Sequence, residues 1–317
     1  MSDRRQILIN AGLLLGAATA SSPALAQASK SPGAARMTYV VPKGPWTEFG
    51  DIRRAGGKLH YAALGHKDGG GKPPIVLLHK LGGWLSDWRF VAPALAEGRR
   101  VLAFDLPGHG GSRWDGVPPY IQTLGETAAL LVGALDELGI DKIDLIGTSL
   151  GGCVAVPLSA FWPERVRKLA IVSSALGGRR TLAEVKVAVE DRQRGVTVDA
   201  EGYPLPVPDD MLRNTFGIVN AETINKEGWE SRKAAGLWAQ PSERGVGITD
   251  IRGTLARVTA PTLLLYGEYD KAYYKFREAA EAALPKSITK IVPKSGAFVM
   301  MDNPPETARV LREWVQS

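Results

Sequence analysis

The feature that most constrains the fold is a serine between two glycines at residues 147–151, GTSLG. A short apolar strand is predicted directly before it, at residues 144–146, and a helix follows over Leu150–Phe161. A strand that passes into a helix this abruptly needs glycines where the two segments cross, and it holds the serine in strained backbone geometry. We therefore expect Ser149 to be a candidate nucleophile at the carboxyl end of a buried strand.

The rest of the chain alternates strand-like and helix-like patterns, which implies right-handed crossovers and a mostly parallel central sheet with flanking helices, an α/β class. Residues 177–260 interrupt this rhythm with helical patterns and predict an inserted helical lid over the carboxyl edge of the sheet. The core then comprises residues 38–176 and 261–317. The predicted strands are residues 58–64, 75–79, 101–105, 143–146, 169–172, 262–266 and 288–292.

The first 37 residues are predicted to precede the fold. In residues 1–26, Arg4 and Arg5 precede an apolar stretch that ends in a small-residue cleavage pattern, which is typical of a twin-arginine export signal. Residues 27–37 are rich in Ala, Ser, Pro and Gly and predict a disordered leader. Because the apolar stretch is short and interrupted, we expect a periplasmic or secreted protein with no stable membrane insertion after signal cleavage.

Composition limits which partners and cofactors we expect for this chain. The net charge of +6 is scattered along 317 residues, so nucleic acid is not an expected partner. The single cysteine, Cys153, excludes an intramolecular disulfide and is predicted to be a core residue. There is no His, Cys and carboxylate pattern with metal-ligand spacing, and no glycine-rich dinucleotide loop follows the first strand. We therefore expect neither a metal nor another cofactor.

Three further motifs follow predicted strands: HKLGG at residues 79–83, DLPGHGGS at residues 105–112 and YGEYD at residues 266–270. With GTSLG, they resemble the α/β-hydrolase superfamily over about residues 58–314. The resemblance implies the α/β-hydrolase fold and acyl transfer by a serine nucleophile.

The same resemblance assigns roles to individual residues. Ser149 is the nucleophile, and the backbone N–H groups of Leu81 and Leu150 form the oxyanion hole. Asp270 is the acid of the catalytic triad, with Glu268 as the weaker candidate. A small ester or lactone is the implied substrate.

The chain departs from the family at the catalytic base. The family's final motif is Gly-His followed by a Pro-Glu pair, but residues 295–306 read SGAFVMMDNPPE, with Ala297 at the histidine position. A serine without a base is a weak nucleophile, and loss of the histidine from a comparable triad costs about a millionfold in turnover. The four histidines all precede Ser149: His60, His66, His79 and His109.

Two questions stay open at this point. Lys80, which replaces a family glycine, is a possible auxiliary base if its amine is desolvated, although we expect an exposed lysine. Ala297 makes the chain either a histidine-to-alanine form of an active enzyme or a protein that lost its base. The sequence predicts an exported serine hydrolase, disabled or strongly impaired. The alternative is a pseudoenzyme that binds a small hydrophobic ligand under its lid without turnover.

Overall fold

A computed structural model describes residues 44–116, 118–194 and 205–317. The predicted export signal, residues 1–26, and the predicted leader, residues 27–37, lie outside the described residues. Within the described parts of the chain, no helix is long and apolar enough to cross a membrane.

A single sheet forms the centre of the molecule. Its strands are β1 (Glu48–Arg54), β2 (Gly57–Leu64), β3 (Ile75–Leu78), β4 (Val101–Phe104), β5 (Arg113–Trp114), β6 (Ile143–Thr148), β7 (Val166–Val172), β8 (Thr262–Gly267) and β9 (Ser287–Val292). The strand order is β1-β2-β4-β3-β6-β7-β8-β9, and β5 pairs with β2. Strands β3, β4, β6, β7, β8 and β9 run parallel to one another, while β1, β2 and β5 pair antiparallel. Strands β3, β4, β6 and β8 are wholly buried, which explains their largely apolar sequences.

Helices cover both faces of this sheet, so the predicted α/β class is confirmed. The helices are α1 (Ala92–Leu95), α2 (Leu124–Glu137), α3 (Leu150–Phe161), α4 (Leu182–Arg194), α5 (Asp209–Phe216), α6 (Ala221–Ala235), α7 (Ala239–Ile248), α8 (Ile251–Leu255), α9 (Arg277–Ala283), α10 (Val299–Asp302) and α11 (Pro304–Gln316). Side chains of α2, α3, α8 and α9 join one hydrophobic core, and those of α1, α5, α6, α10 and α11 join the other. Cys153 lies in the first core, as predicted.

The segment between β7 and β8 is helical, with α4 to α8 in its described residues. It contacts the loop that follows β3, because Ser231 Oγ on α6 donates a hydrogen bond of 2.7 Å to the carbonyl of Gly82. That loop leaves the carboxyl end of β3, so the helical insertion reaches the edge of the sheet where the candidate site lies. Its function as a lid stays a prediction.

Two strands were missed by the sequence patterns. Strand β1 lies at the edge of the sheet, and Ile52 is its one fully buried side chain. An edge strand with one buried side chain carries little hydrophobic periodicity. Strand β5 is only two residues long, too short to produce a pattern.

Candidate active site

The serine lies at a strained turn between β6 and α3. Ser149 has φ 51° and ψ −112°, a conformation that L-residues rarely adopt and that costs about 1–3 kcal/mol. The flanking glycines are required by close approach: a Cβ on Gly147 would lie 2.3 Å from the carbonyl oxygen of Gly151, and a Cβ on Gly151 would lie 2.4 Å from that of Leu78. The motif therefore forms the predicted sharp turn, with the Ser149 side chain at the carboxyl end of β6.

The loop after β3 is fixed by a buried histidine. His79 Nε2 accepts a hydrogen bond of 2.9 Å from the backbone N–H of Leu106, so Nδ1 carries the proton and donates to the carbonyl of Lys80 at 2.7 Å. Burial lowers the pKa of His79 to about 3, so the ring is neutral at physiological pH. Both of its nitrogens are occupied by hydrogen bonds to the backbone, so His79 has a structural role.

The second histidine near this loop, His109, is also a structural group. Its ring lies 5.1 Å from that of His79, and its Nδ1 donates to the carbonyl of Pro107 at 3.0 Å. Burial lowers the pKa of His109 to about 3. Like His79, it is neutral and held by the backbone.

The two predicted oxyanion donors belong to adjacent segments. Leu150 is the first residue of α3, so its N–H has no acceptor within the helix. This N–H lies at the positive end of the helix dipole. Leu81 lies in the loop after β3. The N–H of Gly151 donates to the carbonyl of His79 at 3.0 Å, which ties that loop to the start of α3. The assignment of the oxyanion hole to Leu81 and Leu150 stays a prediction.

The expectation that Lys80 is exposed is wrong. Its side chain is buried, and Nζ lies 3.2 Å from Asp87 Oδ2 and 5.5 Å from the centroid of the Phe298 ring. Asp87 is also buried, and burial raises the pKa of its carboxyl while Lys80 opposes that rise. An ammonium group held in this ion pair has no electron pair with which to accept a proton from Ser149. The geometry therefore disfavours Lys80 as a base.

The two carboxylates of the β8 loop occupy different environments. Asp270 is only 4% exposed, and its Oδ1 accepts hydrogen bonds from the N–H groups of Ala272 (3.1 Å) and Tyr273 (2.9 Å). Among the described residues, Asp270 Oδ2 is buried and accepts no close hydrogen bond. Burial raises the pKa of Asp270, and the Tyr273 N–H and the Ser173 hydroxyl oppose this rise. Glu268, by contrast, is exposed and accepts from the N–H of Lys294 at 2.7 Å. Asp270 is thus the better candidate for the acid.

Position 297 lies beside the β8 loop and beneath the helical insertion. The two loops are joined by a hydrogen bond of 2.9 Å from the N–H of Tyr269 to the carbonyl of Ser295. Ala297 is fully buried, and its N–H donates to the carbonyl of Phe216, the last residue of α5, at 2.9 Å. A methyl group therefore stands at the position that the family pattern gives to the base.

Tyr273 is a residue of the candidate site that the sequence patterns missed. Tyr273 Oη lies 3.1 Å from Ser149 Oγ, within hydrogen-bond distance of the candidate nucleophile. The Tyr273 ring lies 6.1 Å from that of Phe216, which in turn stacks on Phe298 at 5.4 Å. The one sequence signal for Tyr273 is its position three residues after Asp270. Asp side chains commonly accept hydrogen bonds from backbone N–H groups two or three residues later.

Asp302 was also missed, and it holds the two segments around position 297 together. Its Oδ2 accepts from the N–H of Gly296 at 2.8 Å, and its Oδ1 accepts from the N–H of Asn220 at 2.8 Å. Val219 donates to the same carboxylate at 2.9 Å. Asp302 is a positioning residue that joins the loop before α10 to the insertion before α6.

No group of three or more His, Cys, Asp or Glu side chains that could hold a metal ion occurs among the residues that the structure describes. The arrangement instead provides a strained serine, a buried acid and an aromatic wall. Ser149 Oγ contacts a phenol, where a serine triad has an imidazole. A neutral phenol is a poor proton acceptor, so in that form it does not replace an imidazole as a base.

Comparison with known proteins agrees with this geometry. The model of the alpha/beta hydrolase family matches residues 75–310. The chain is 30% identical over 265 residues to the dihydrolipoyllysine-residue acetyltransferase component of the acetoin cleaving system of Pseudomonas putida, covering 82% of this chain but 66% of that protein. It is 27% identical over 221 residues to a 2-hydroxy-6-oxononadienedioate/2-hydroxy-6-oxononatrienedioate hydrolase of Klebsiella pneumoniae, covering 64% of this chain and 73% of the relative.

A solved structure shares the fold. The enol-lactonase from Burkholderia xenovorans LB400 aligns with a TM-score of 0.69 at 23% identity, and the alignment covers 84% of this chain and all of that one. At this identity the likeness concerns the fold alone.

Proposed function

Because the chain belongs to the alpha/beta hydrolase family, we propose that it is a serine hydrolase that cleaves a small ester or lactone through Ser149. The observation that carries the proposal is the backbone of Ser149, at φ 51° and ψ −112° between β6 and α3. A strained non-glycine residue persists only where the surrounding structure enforces it, and such strain clusters at functional sites.

In the proposed reaction, Ser149 Oγ attacks the carbonyl carbon of the substrate. The N–H groups of Leu81 and Leu150 stabilise the oxyanion, and the alcohol leaves to give an acyl-enzyme. Water then hydrolyses this intermediate. We assign Asp270 the role of orienting a histidine, but position 297 is Ala297, and Asp270 Oδ2 accepts no close hydrogen bond within the described parts of the chain. We therefore propose that hydrolysis by this chain is strongly impaired.

Two observations support a small substrate with an apolar part. The rings of Phe216, Tyr273 and Phe298 are packed together beside Ser149, so an acyl group bound there meets an aromatic wall. The similar protein of Klebsiella pneumoniae is a 2-hydroxy-6-oxononadienedioate/2-hydroxy-6-oxononatrienedioate hydrolase, which acts on a small molecule.

The test is the hydrolysis of a short-chain activated ester by the parent chain and by Ser149→Ala. The proposal predicts slow hydrolysis by the parent that disappears in the variant. Equal rates in the two proteins would contradict it. The pseudoenzyme would instead be favoured if the protein binds apolar ligands tightly and reversibly and no reagent labels Ser149.

Export of the chain is also a proposal, supported by Arg4 and Arg5 ahead of an apolar stretch in residues 1–26. Cell fractionation of the full chain and of the Arg4→Lys, Arg5→Lys double variant tests it. Retention of the double variant inside the cell, with the parent found outside the cytoplasm, is the expected outcome.

A further inference from the structure

We propose that Tyr273 is the proton acceptor for Ser149 in this chain, as its phenolate, so that hydrolysis operates at alkaline pH without a histidine. This inference rests on the proposed function of Ser149. Its basis is the contact of 3.1 Å between Tyr273 Oη and Ser149 Oγ, which meets the distance requirement for direct proton transfer.

The other titratable groups near the site have different roles. His79 and His109 are neutral, buried and tied to backbone carbonyls through Nδ1. Lys80 is paired with Asp87. Tyr273 therefore combines a contact with the nucleophile and a group that becomes basic when it ionises.

The tyrosine is fixed in this position from two sides. Its own backbone N–H donates to Asp270 Oδ1 at 2.9 Å, and its ring packs against that of Phe216 from α5. A general base must be held within hydrogen-bond reach of the proton that it removes. Asp270, the residue that would orient a histidine in a triad, thus positions Tyr273 through the main chain.

The groups that face Tyr273 come from several segments of the site. Asp270 lies on the same loop, the turn before α3 contributes the Ser149 hydroxyl, and α5 contributes the apolar ring of Phe216. Lys80, on the loop after β3, lies with Nζ 5.5 Å from the centroid of the Phe298 ring, which stacks on Phe216. A carboxylate nearby disfavours a phenolate, so the active form is expected only at alkaline pH.

The proton transfers balance over the two half-reactions. The phenolate takes the proton of Ser149 as Oγ bonds to the carbonyl carbon, and the carbonyl electrons move to the oxyanion. The intermediate then breaks its bond to the leaving oxygen, which takes the proton from Tyr273. In the second half, the phenolate takes a proton from water as the oxygen of water attacks the acyl carbon, and it returns that proton to Ser149 as the acid leaves.

The experiment measures kcat/KM for a short-chain activated ester from about pH 6 to pH 10.5 in the parent, Tyr273→Phe and Tyr274→Phe. Tyr274 is the matched control, because its ring packs on Tyr266 at 5.4 Å and not on Ser149. We expect kcat/KM of the parent and of the control to rise about tenfold per pH unit until Tyr273 ionises. At the alkaline end, Tyr273→Phe should be slower by about 10²- to 10⁴-fold.

A second variant gives a readout that a purely structural tyrosine would not change. Replacement of Tyr273 by a ring-fluorinated tyrosine, which has a more acidic hydroxyl, should move the whole rise to lower pH. An unchanged profile in this variant, or a Tyr273→Phe protein that keeps the parent's rate at every pH, overturns the proposal.

Ser149→Ala separates this inference from the proposed function. If Ser149→Ala is inactive while Tyr273→Phe keeps the parent's rate, the role of Tyr273 fails and the serine hydrolase stands. If the parent shows no hydrolysis that depends on Ser149 at any pH, both fail.

Discussion

The replacement Ala297→His should restore a triad, and its effect can be worked out from the site. Loss of the histidine from a comparable triad costs about 10⁶-fold in kcat, or about 8 kcal/mol. The imidazole must displace Tyr273 from Ser149, and a neutral hydrogen bond of this kind contributes about 1 kcal/mol, less than tenfold in rate. The gain at pH 7 therefore stays large.

Residual catalysis by Tyr273 reduces this gain only slightly at neutral pH. A phenol that is free in water is ionised in about one molecule in 10³ at pH 7, and a general base contributes about 10²- to 10⁴-fold when fully active. The product is at most about tenfold. We therefore expect Ala297→His to raise kcat by at least about 10⁴-fold at pH 7, with a smaller ratio at alkaline pH.

The same replacement should change the free energy of unfolding only slightly. Filling the fully buried site of Ala297 costs about 1–3 kcal/mol in packing, while a partner for Asp270 Oδ2 returns a similar amount. The assay is the release of alcohol from a short-chain activated ester. The control is Ala297→Asn, whose amide can donate to Asp270 but cannot accept the proton of Ser149. Equal rates for Ala297→His and Ala297→Asn would refute the reasoning.

Two further predictions concern stability. Lys80→Met leaves Asp87 buried without its counter-charge and should destabilise the fold by about 3–5 kcal/mol near pH 7. Since burial raises the folded-state pKa of Asp87 above its unfolded value, the carboxyl protonates more readily in the folded state, and the deficit should shrink as pH falls through that folded pKa. Urea denaturation at several pH values checks this, and a pH-independent deficit contradicts it. Ser149→Gly should be about 1 kcal/mol more stable than Ser149→Ala, because both lose the hydroxyl and only glycine relieves the strain at φ 51°. Thermal melts of the pair measure the difference, and equal melting temperatures would show that the turn stores no strain.

The fold was largely predictable because the central strands are buried on both faces. Such strands carry continuous apolar sequences, and the Gly147 and Gly151 spacing identifies the crossing of β6 and α3 in one short motif. Edge strand β1 was not predictable, since Ile52 is its one fully buried side chain.

The candidate site was predictable where the chemistry depends on motif order, and not where it depends on loop conformation. Ser149, Asp270 and Ala297 follow from position along the chain. The spacing of Asp270 and Tyr273 indicates their backbone hydrogen bond, but the contact of the Tyr273 hydroxyl with Ser149 depends on the path of the β8 loop. Lys80 was misplaced because its counter-charge, Asp87, becomes adjacent only through the short helical turn Leu85–Trp88.

The central claim is that Ser149 is a nucleophile, and the most direct measurement is the intact mass of the protein after reaction with a fluorophosphonate. The account predicts a single covalent adduct on the parent, forming slowly at neutral pH and mapping to Ser149, with no adduct on Ser149→Ala. An unlabelled parent, or equal labelling of the parent and Ser149→Ala, would contradict it.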